Sequence, residues 1–182
     1  EGYGPLQRPF DVDISPSGKL YIVDNQANQV LVLDENEKLQ LTLGTGEASA
    51  EPGSFYGPHF VHVDEDAARI YVADTHNHRI QVFDLQGRLI KITGQYGHTG
   101  PDHYHFAGGL ASDHQKQLYV MNWSGGYINV YDHDLKAVKT FGSRGSKPAQ
   151  FNDAYSIAFH NNTLWVADTY NNRLQQFTLD GQ

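Results

Sequence analysis

The sequence has no cysteine among its 182 residues. This absence excludes disulfide bonds, thiolate-ligated zinc and cysteine nucleophiles, and it leaves the redox compartment open. Positive charge is also scarce, since 13 Lys and Arg stand against 21 Asp and Glu, which gives a formal net charge of −8. Proteins bind nucleic acids largely by neutralising phosphates with Lys and Arg, so this charge balance argues against a nucleic-acid partner.

Long apolar runs and helical patterns are missing as well. The short run at residues 30–33 is typical, and no run approaches the roughly 18 consecutive apolar residues of a membrane-spanning helix. We therefore expect no membrane insertion. The sequence contains no Gly-x-Ser-x-Gly motif, and its glycine-rich stretches do not lie between a strand and a helix, so it identifies no catalytic nucleophile.

What the sequence does contain is an internal repeat. A six-residue pattern occurs four times, as LYIVDN, IYVADT, LYVMNW and LWVADT, and its fifth positions are residues 24, 74, 122 and 168. In the second copy, the alternation of apolar and polar residues predicts strands at 60–64, 70–73, 80–83 and 89–93. Four short strands in each repeat of about 40 to 50 residues are typical of a β-propeller blade.

The repeat resembles a known family. Residues 74–84, with the sequence DTHNHRIQVFD, resemble the NHL repeat, and residues 168–174 are nearly as similar. The first copy has Gln29 in place of the motif arginine, and the third copy, from Asn122 onwards, has neither the aspartate nor the arginine. The resemblance extends over essentially the whole chain and implies an all-β fold, an NHL-type β-propeller. We therefore expect a single propeller domain over residues 1–182.

Four blades of this propeller are expected, and the last of them lacks its fourth strand. Their approximate limits are residues 10–50, 59–98, 108–146 and 155–182. A propeller needs closure to hide its strand edges, and NHL propellers commonly have six blades, so we expect these four to belong to a longer ring. The alternative is a closed four-bladed ring or assembly with another chain through open blade edges.

The repeat motif has a structural interpretation. Asp24, Asp74 and Asp168 each end a predicted strand, where a carboxylate can accept backbone N–H groups of the following turn. Asparagines in the motif tolerate the left-handed backbone that such a turn needs. Arg79 and Arg173 can pair with the aspartate or lie across the neighbouring blade. We therefore predict that these five residues are structural.

Candidate ligand-binding residues come from the family resemblance. It implies that a ligand binds over the central channel, near the start of each innermost strand. The aligned positions there are Phe10, His59, Gly108 and Tyr155, followed along the chain by Asp11, Phe60, Gly109 and Ser156. We predict ligand binding at this channel mouth by Phe10, Asp11, His59, Phe60 and Tyr155. The two glycines are expected to leave space for the ligand.

An enzymatic alternative has its own resemblance. Residues 55–64 and 71–74 resemble peptidyl-hydroxyglycine alpha-amidating lyases, which are NHL propellers. That resemblance implies a channel metal ion, Zn or Ca, bound by histidines that follow a proline in alternate blades, and His59 matches such a position. The alternate-blade counterpart of His59 is Tyr155, however, and a catalytic zinc site needs about three protein ligands. A metal-dependent lyase is thus the alternative function, and the main interpretation needs no cofactor.

Two further pairs of residues are candidates. His103 and His105 alternate in an extended segment, so both rings would lie on one face and could bind a metal ion; a solvated loop is the alternative. Trp123 and Tyr104 are among several aromatic residues in predicted loops. Rigid aromatics are typical of protein-binding surfaces, and the alternative for these two is packing between adjacent blades.

Together these patterns predict a non-catalytic binding or scaffolding module. Its partner is expected to be a protein, a peptide or a small-molecule ligand, bound at the channel mouth or on the loop face. The lack of cysteine, the acidic composition and the loops rich in Asn, Gln and Tyr favour a secreted or periplasmic protein over a cytoplasmic one.

Overall fold

The regular structure of the protein is almost entirely β-strand. A computed structural model describes residues 4–98 and 100–182, in which two single-turn 3-10 helices, Thr75–Asn77 and Thr169–Asn171, are the helical elements. Within these ranges no helix has the length and hydropathy of a membrane-spanning segment. The chain forms two compact units, Glu1–Thr93 and Gly94–Gln182, which we call unit 1 and unit 2.

Unit 1 consists of two four-stranded antiparallel meanders. Its strands are β1 Pro9–Ile14, β2 Leu20–Asp24, β3 Gln29–Leu33, β4 Leu39–Leu43, β5 Phe60–Asp64, β6 Arg69–Asp74, β7 Arg79–Asp84 and β8 Leu89–Thr93. Strands β1 to β4 form blade 1, and strands β5 to β8 form blade 2, each in sequence order. The four strands predicted for the second copy are confirmed, with the two middle ones extended by one residue at each end.

Unit 2 contains one complete blade and one three-stranded blade. Its strands are β9 Gln95–Tyr96, β10 His103–Tyr104, β11 Ala107–Ser112, β12 Leu118–Asn122, β13 Tyr127–Tyr131, β14 Ala137–Phe141, β15 Ser143–Arg144, β16 Gln150–Phe151, β17 Ser156–His160, β18 Thr163–Asp168 and β19 Arg173–Thr178. Strands β11 to β14 form blade 3, and β17 to β19 form blade 4. The short pairs β9–β10 and β15–β16 are parallel.

Tight turns explain why each blade is a meander. Asp84 ends β7, and its Oδ1 accepts the backbone N–H groups of Gln86 and Arg88, so the chain reverses at once into β8. Gly87 completes this turn with a φ of 82°, a left-handed conformation that glycine adopts without steric cost. Asp34 accepts the corresponding N–H groups in blade 1. These local signals produce the predicted fold class, an all-β protein built of β-propeller blades.

The blades within each unit pack face to face through matching positions. In unit 1 one buried cluster combines Tyr21, Val23, Val30 and Val32 of blade 1 with Val61, Val63, Ile70 and Val72 of blade 2. In unit 2 the equivalent cluster combines Tyr119, Met121, Ile128 and Val130 of blade 3 with Ile157, Leu164, Val166 and Phe177 of blade 4. We call the side that a blade presents to the next blade its outgoing face, and the opposite side its incoming face.

Candidate functional site

The motif aspartate of blade 2 is the centre of a buried hydrogen-bond network. Asp74 ends β6 with none of its surface exposed. Its Oδ1 accepts the backbone N–H of Tyr56 at 2.8 Å, and its Oδ2 accepts hydrogen bonds from Asn77, Arg79 and Gln81 at 2.7 to 3.0 Å. The prediction that this carboxylate binds N–H groups of the following turn was therefore wrong. Its backbone donor belongs instead to the loop that precedes β5.

The motif arginine fixes the same loop from its other side. Arg79 pairs through Nε with Asp74 at 2.7 Å, as predicted. Its terminal nitrogens donate to the carbonyl oxygens of Ala50, Glu51 and Ser54, which lie in the connection between blades 1 and 2. The ion pair therefore holds the loop that carries the chain from one blade to the next, and the predicted structural role is confirmed.

Blade 4 repeats this arrangement. Asp168 accepts the backbone N–H of Asn152 at 2.8 Å and pairs with Arg173 at 2.8 Å. Burial raises the pKa of Asp168, but hydrogen bonds from Asn152, Asn171 and Arg173 outweigh that effect and hold the pKa below its usual value. The aspartate and arginine of the motif thus form their hydrogen bonds with side chains and backbone groups of the protein itself.

Blade 3 replaces the ion pair with neutral groups. Asn122 stands in the aspartate position, and its Nδ2 donates to the carbonyl oxygen of His103. Tyr127, in the arginine position, and Asn129 donate to the same oxygen at 3.0 and 3.3 Å. Sequence reasoning missed the third member of this network, Asn129 here and Gln81 in blade 2. The signal was an amide residue two positions after the motif arginine.

Three of the predicted channel-mouth residues lie together in unit 1. The ring of Phe10 is 4.2 Å from that of His59 and 5.7 Å from that of Phe60. His59 is 8% exposed, and its Nδ1 donates to the carbonyl oxygen of Gly57 at 2.8 Å. Burial lowers the pKa of His59 to about 4, so the imidazole is neutral near pH 7. The group is a compact aromatic cluster around an uncharged histidine.

Because the pKa of His59 is lowered, we predict that acid lowers the free energy of unfolding of the protein. The folded-state pKa of His59 is below the ordinary value of 6.5. Burial of the neutral imidazole therefore contributes fully to the free energy of unfolding above pH 6.5, and this contribution is lost as the pH falls towards 4. Between those values the free energy of unfolding should fall by about 3 kcal/mol through this group. Urea unfolding of the protein and of His59→Gln across this pH range measures the difference.

His160→Gln, which replaces an exposed histidine of β17 by the same residue, is the control variant for that measurement. Coinciding pH profiles for the unmodified protein and His59→Gln would show that burial of His59 does not control acid stability.

Two aspartates of β1 join it to the innermost strand of the next blade. Asp11 accepts the backbone N–H of Val61 at 3.0 Å. Asp13 accepts the N–H of Val63 at 2.8 Å and a hydrogen bond from Nδ1 of His62 at 2.9 Å. Burial raises the pKa of Asp11. Asp11 is thus held by β5, and its ligand-binding role stays a prediction.

In unit 2 the two glycines do not leave space, contrary to our expectation. Gly108 and Gly109 are buried, and the backbone N–H of Gly109 donates directly to the carbonyl oxygen of Tyr155 at 2.9 Å. A Cβ atom on Gly109 would lie 2.7 Å from the backbone nitrogen of Ile157. The glycines therefore allow β11 and β17 to approach closely, where unit 1 inserts the side chain of Asp11.

Tyr155 belongs to a row of aromatic side chains in unit 2, which we call the aromatic row. Successive ring centroids are 4.4 to 6.4 Å apart. The members are Tyr96, His98, His105, Phe106, Trp123, Tyr155 and Tyr170. Tyr96 and Tyr170 at the two ends are 58% and 61% exposed, and Phe106, Trp123 and Tyr155 are half-buried. Trp123 was predicted to bind a protein and Tyr155 to bind a ligand at the channel mouth. Their ring centroids are 4.7 Å apart, so the two residues are neighbours.

Polar contacts hold parts of the aromatic row in place. The hydroxyl of Tyr96 contacts Nε2 of His98 at 3.1 Å, and Nδ1 of His105 contacts the hydroxyl of Ser124 at 2.7 Å. Burial raises the pKa of Tyr155, and the neighbouring Tyr170 and Asp153 raise it further, so its phenol is uncharged near pH 7. The row therefore offers oriented ring surfaces.

Tyr104 does not contribute to a surface, contrary to our prediction. None of its surface is exposed, and its hydroxyl is hydrogen-bonded to that of Tyr131, which in turn donates to Asp102. The side chain of Tyr104 on β10 thus lies in the interior of unit 2. It is a core residue.

The candidate metal ligands do not assemble into a site in the described ranges. His103 donates through Nδ1 to the carbonyl oxygen of Pro101, and its Nε2 accepts a hydrogen bond from Gln95. His105 has different neighbours, since it lies in the aromatic row. No group of three His, Cys, Asp or Glu side chains that could hold a metal ion occurs among the described residues. Metal binding by His59, His103 or His105 remains a prediction.

Stacked antiparallel blades, each tied to the preceding loop through a motif residue, define the class of protein as a β-propeller. The repeat that forms most of blade 2 is an NHL repeat. The family model "NHL repeat" matches residues 55–83, where Asp74 and Arg79 lie. The family predicted from the sequence is thereby confirmed.

Similar proteins agree with this assignment. The chain is 36% identical over 95 residues to "NHL repeat-containing protein 2" from Gallus gallus, an alignment that covers 48% of this chain and 13% of that protein. It is 29% identical over 169 residues to "Peptidyl-glycine alpha-amidating monooxygenase" from Mus musculus, covering 85% of this chain and 16% of that protein. A solved streptogramin B lyase has the same fold, with a TM-score of 0.75 at 15% identity over 99% of this chain and 54% of its own.

The chain is therefore short relative to the proteins that it matches, since it spans 13% and 16% of the two relatives. The NHL propeller fold supports a binding or scaffolding module. The amidating-lyase relatives are distant and do not favour the enzymatic alternative over that interpretation.

Proposed function

We propose that the protein is a non-catalytic binding module that holds a protein or peptide partner on the aromatic row. The observation that carries this proposal is the row itself, whose half-buried centre, Trp123 and Tyr155, continues into the 61% exposed Tyr170. Tyr and Trp supply large contact areas with few rotatable bonds, so they lose little conformational entropy on binding and are enriched at binding hot spots.

The chemistry of the row favours a peptide with apolar and basic side chains. Ring faces attract cations as well as apolar groups, and the formal net charge of −8 attracts a basic segment at long range. The same charge disfavours a nucleic acid, although single strands also stack on aromatic rings. The ring nitrogen of His105 and the hydroxyl of Tyr96 already have polar contacts, so recognition rests on ring surfaces.

Peptide selection on the immobilised full chain tests this function. A random peptide library displayed on phage is selected on the protein, and the best peptide is synthesised and titrated by calorimetry. Tyr170→Ala and Trp123→Ala should each weaken its binding at least tenfold, because truncation of a hot-spot aromatic typically costs about 2 kcal/mol. Tyr170→Ala is the decisive variant, because the exposed side chain of Tyr170 can be removed without disturbing the fold.

Tyr56→Ala is the matched control. Tyr56 is a tyrosine of unit 1 that is 50% exposed and has one ring neighbour, His76, as Tyr170 has Tyr155. Its removal should leave the affinity unchanged. Equal binding of the selected peptides to Tyr170→Ala, Trp123→Ala and the unmodified protein would refute the aromatic row as the binding surface.

A further inference from the structure

Two side chains of the repeat motif fill the same space in blades 2 and 4. In blade 2, Arg79 on the incoming face and Asn77 beside it donate to carbonyl oxygens of the preceding loop. Blade 4 repeats these contacts with Arg173 and Asn171, at 2.7 to 2.9 Å. The motif asparagine and arginine thus occupy the space between the motif turn and that loop.

Blade 3 has different residues at both positions. Gly125 stands in the asparagine position and Tyr127 in the arginine position. The hydroxyl of Tyr127 donates to the carbonyl oxygen of His103, which corresponds to that of Ser54 in blade 2. A Cβ atom on Gly125 would lie 2.5 Å from Cε1 of Tyr127, so the ring takes part of the space of the missing asparagine. The ring does not replace the guanidinium, whose space lies further along the loop.

A cavity of about 360 Å³, which we call the blade 3 cavity, lies at the place of the missing guanidinium. Its lining residue Gly100 corresponds to Glu51 of blade 2, whose carbonyl oxygen accepts a hydrogen bond from the motif arginine. Its lining residue Arg144 corresponds to Gly46 of blade 1, whose Cβ position is 3.1 Å from the amide nitrogen of Gln29 in the arginine position. The other lining residues are Gly125, Tyr127, Thr140, Gly142 and Ser143.

The local charge at this cavity differs from that at the same place in blades 2 and 4. In those blades a buried aspartate lies beside the guanidinium, whereas blade 3 has the neutral and fully buried Asn122. Arg144 is the charged member of the lining, and its Nη1 donates to the carbonyl oxygen of Ser124 at 3.0 Å. This bond uses one of five N–H donors, and the planar guanidinium can pair with a carboxylate through the others. The cavity therefore favours an anion.

We propose that the blade 3 cavity binds a small organic acid, with its carboxylate on Arg144 and its apolar body against the ring of Tyr127 and the lining glycines. Small-molecule sites typically have volumes of about 300 to 1,000 Å³ and mostly apolar walls with a few polar groups. Tyr127 is 5% exposed and hydrogen-bonded, so its ring forms a fixed wall. The formal net charge of −8 is screened beyond about 8 Å at physiological ionic strength, so the nearby guanidinium dominates. The cavity shares no lining residue with the aromatic row and is a separate site.

Titration of the isotopically labelled full chain with phenylacetate, followed by heteronuclear NMR, tests this site. The backbone amide signals of Gly125, Gly142 and Ser143 should shift, with a dissociation constant of about 1 mM, typical of so small a ligand. Phenylacetamide has nearly the same shape without the charge, so it should bind at least tenfold more weakly. Equal binding of the amide would overturn the assignment of a carboxylate to this cavity.

A peptide end carries the same carboxylate, and N-acetylglycylphenylalanine tests that source. A free acid fits the cavity as a whole, so phenylacetate should bind at least as tightly as this peptide. Tighter binding of the peptide would overturn the assignment to a free acid.

Variants of the lining locate the binding. Arg144→Gln removes the cation from an exposed position and should weaken phenylacetate binding at least tenfold. Arg88→Gln is the matched control, because the side chain of Arg88 is 80% exposed in unit 1 and its loss should leave the affinity unchanged. The triple variant Asn122→Asp/Gly125→Asn/Tyr127→Arg restores the motif of blades 2 and 4, so it should fill the cavity and abolish binding. An unchanged affinity in Arg144→Gln would overturn the proposal, whether or not the triple variant folds.

Discussion

Replacement of Asp74 by alanine should lower the free energy of unfolding of unit 1 by about 3 to 5 kcal/mol. The carboxylate is fully buried, and its loss would leave the guanidinium of Arg79, whose side chain is 12% exposed, without its ion-pair partner. The backbone N–H of Tyr56 and the amide of Gln81 would lose their acceptor at the same time. An uncompensated buried charge costs far more than an exposed ion pair contributes.

Urea unfolding followed by far-ultraviolet circular dichroism measures this loss, and hydrogen exchange localises it to unit 1. Glu35→Ala is the matched control, since it removes the same charge from an exposed turn and should change stability by less than about 0.5 kcal/mol. The double variant Asp74→Ala/Arg79→Ala should be less destabilised than the sum of the two single variants, because the unpaired guanidinium is then absent. A loss below about 1 kcal/mol for Asp74→Ala would contradict the central role of this carboxylate.

Replacement of Gly109 by alanine should destabilise unit 2 by about 3 kcal/mol, at the upper end of what an added methyl group costs in a packed interior. The new Cβ would lie 2.7 Å from the backbone nitrogen of Ile157 and 2.8 Å from the Cα of Ser156. Both neighbours are backbone atoms, so relief requires that β11 and β17 separate. That separation breaks the direct hydrogen bond from Gly109 to the carbonyl oxygen of Tyr155.

Thermal unfolding followed by tryptophan fluorescence reports on this variant, because both tryptophans of the chain, at positions 123 and 165, lie in unit 2. Trp123 packs 4.7 Å from Tyr155, so its emission should also shift in the folded state. Gly53→Ala is the control: Gly53 has a φ of 82° but no atom near its Cβ position, so alanine there costs about 1 kcal/mol of backbone strain alone. If Gly109→Ala were no more costly than Gly53→Ala, the close approach of the two strands would not be a constraint.

The contacts behind these two variants differ in how far they can be predicted from the sequence. Asp74 and Arg79 recur at a fixed spacing of five in blades 2 and 4, so their pairing can be predicted from the motif. The loop that they hold cannot, because the N–H of Tyr56 lies 18 residues earlier and becomes the partner only once blade 2 has formed. The close packing at Gly109 cannot be predicted from the sequence, since glycine is compatible with open space and with close packing.

The sequence alone determined the blades of this protein. Strand positions follow from the alternation of apolar and polar residues over a few positions, and the turns follow from residues such as Asp84 and Gly87, so local physics suffices.

Only the tertiary structure determined which side chains are exposed and which of them lie together on the surface. The aromatic row gathers rings from residues 96 to 170, and Tyr104, chemically equal to its exposed neighbours, is instead buried beside Tyr131. Val12 and Val61 occupy the same position in sequence repeats, yet one is 54% exposed and the other 4%, because blade 1 packs against Val61 within unit 1. Exposure depends on which element packs on a residue, and that packing joins segments far apart in the chain, where the local pattern of residues carries no information.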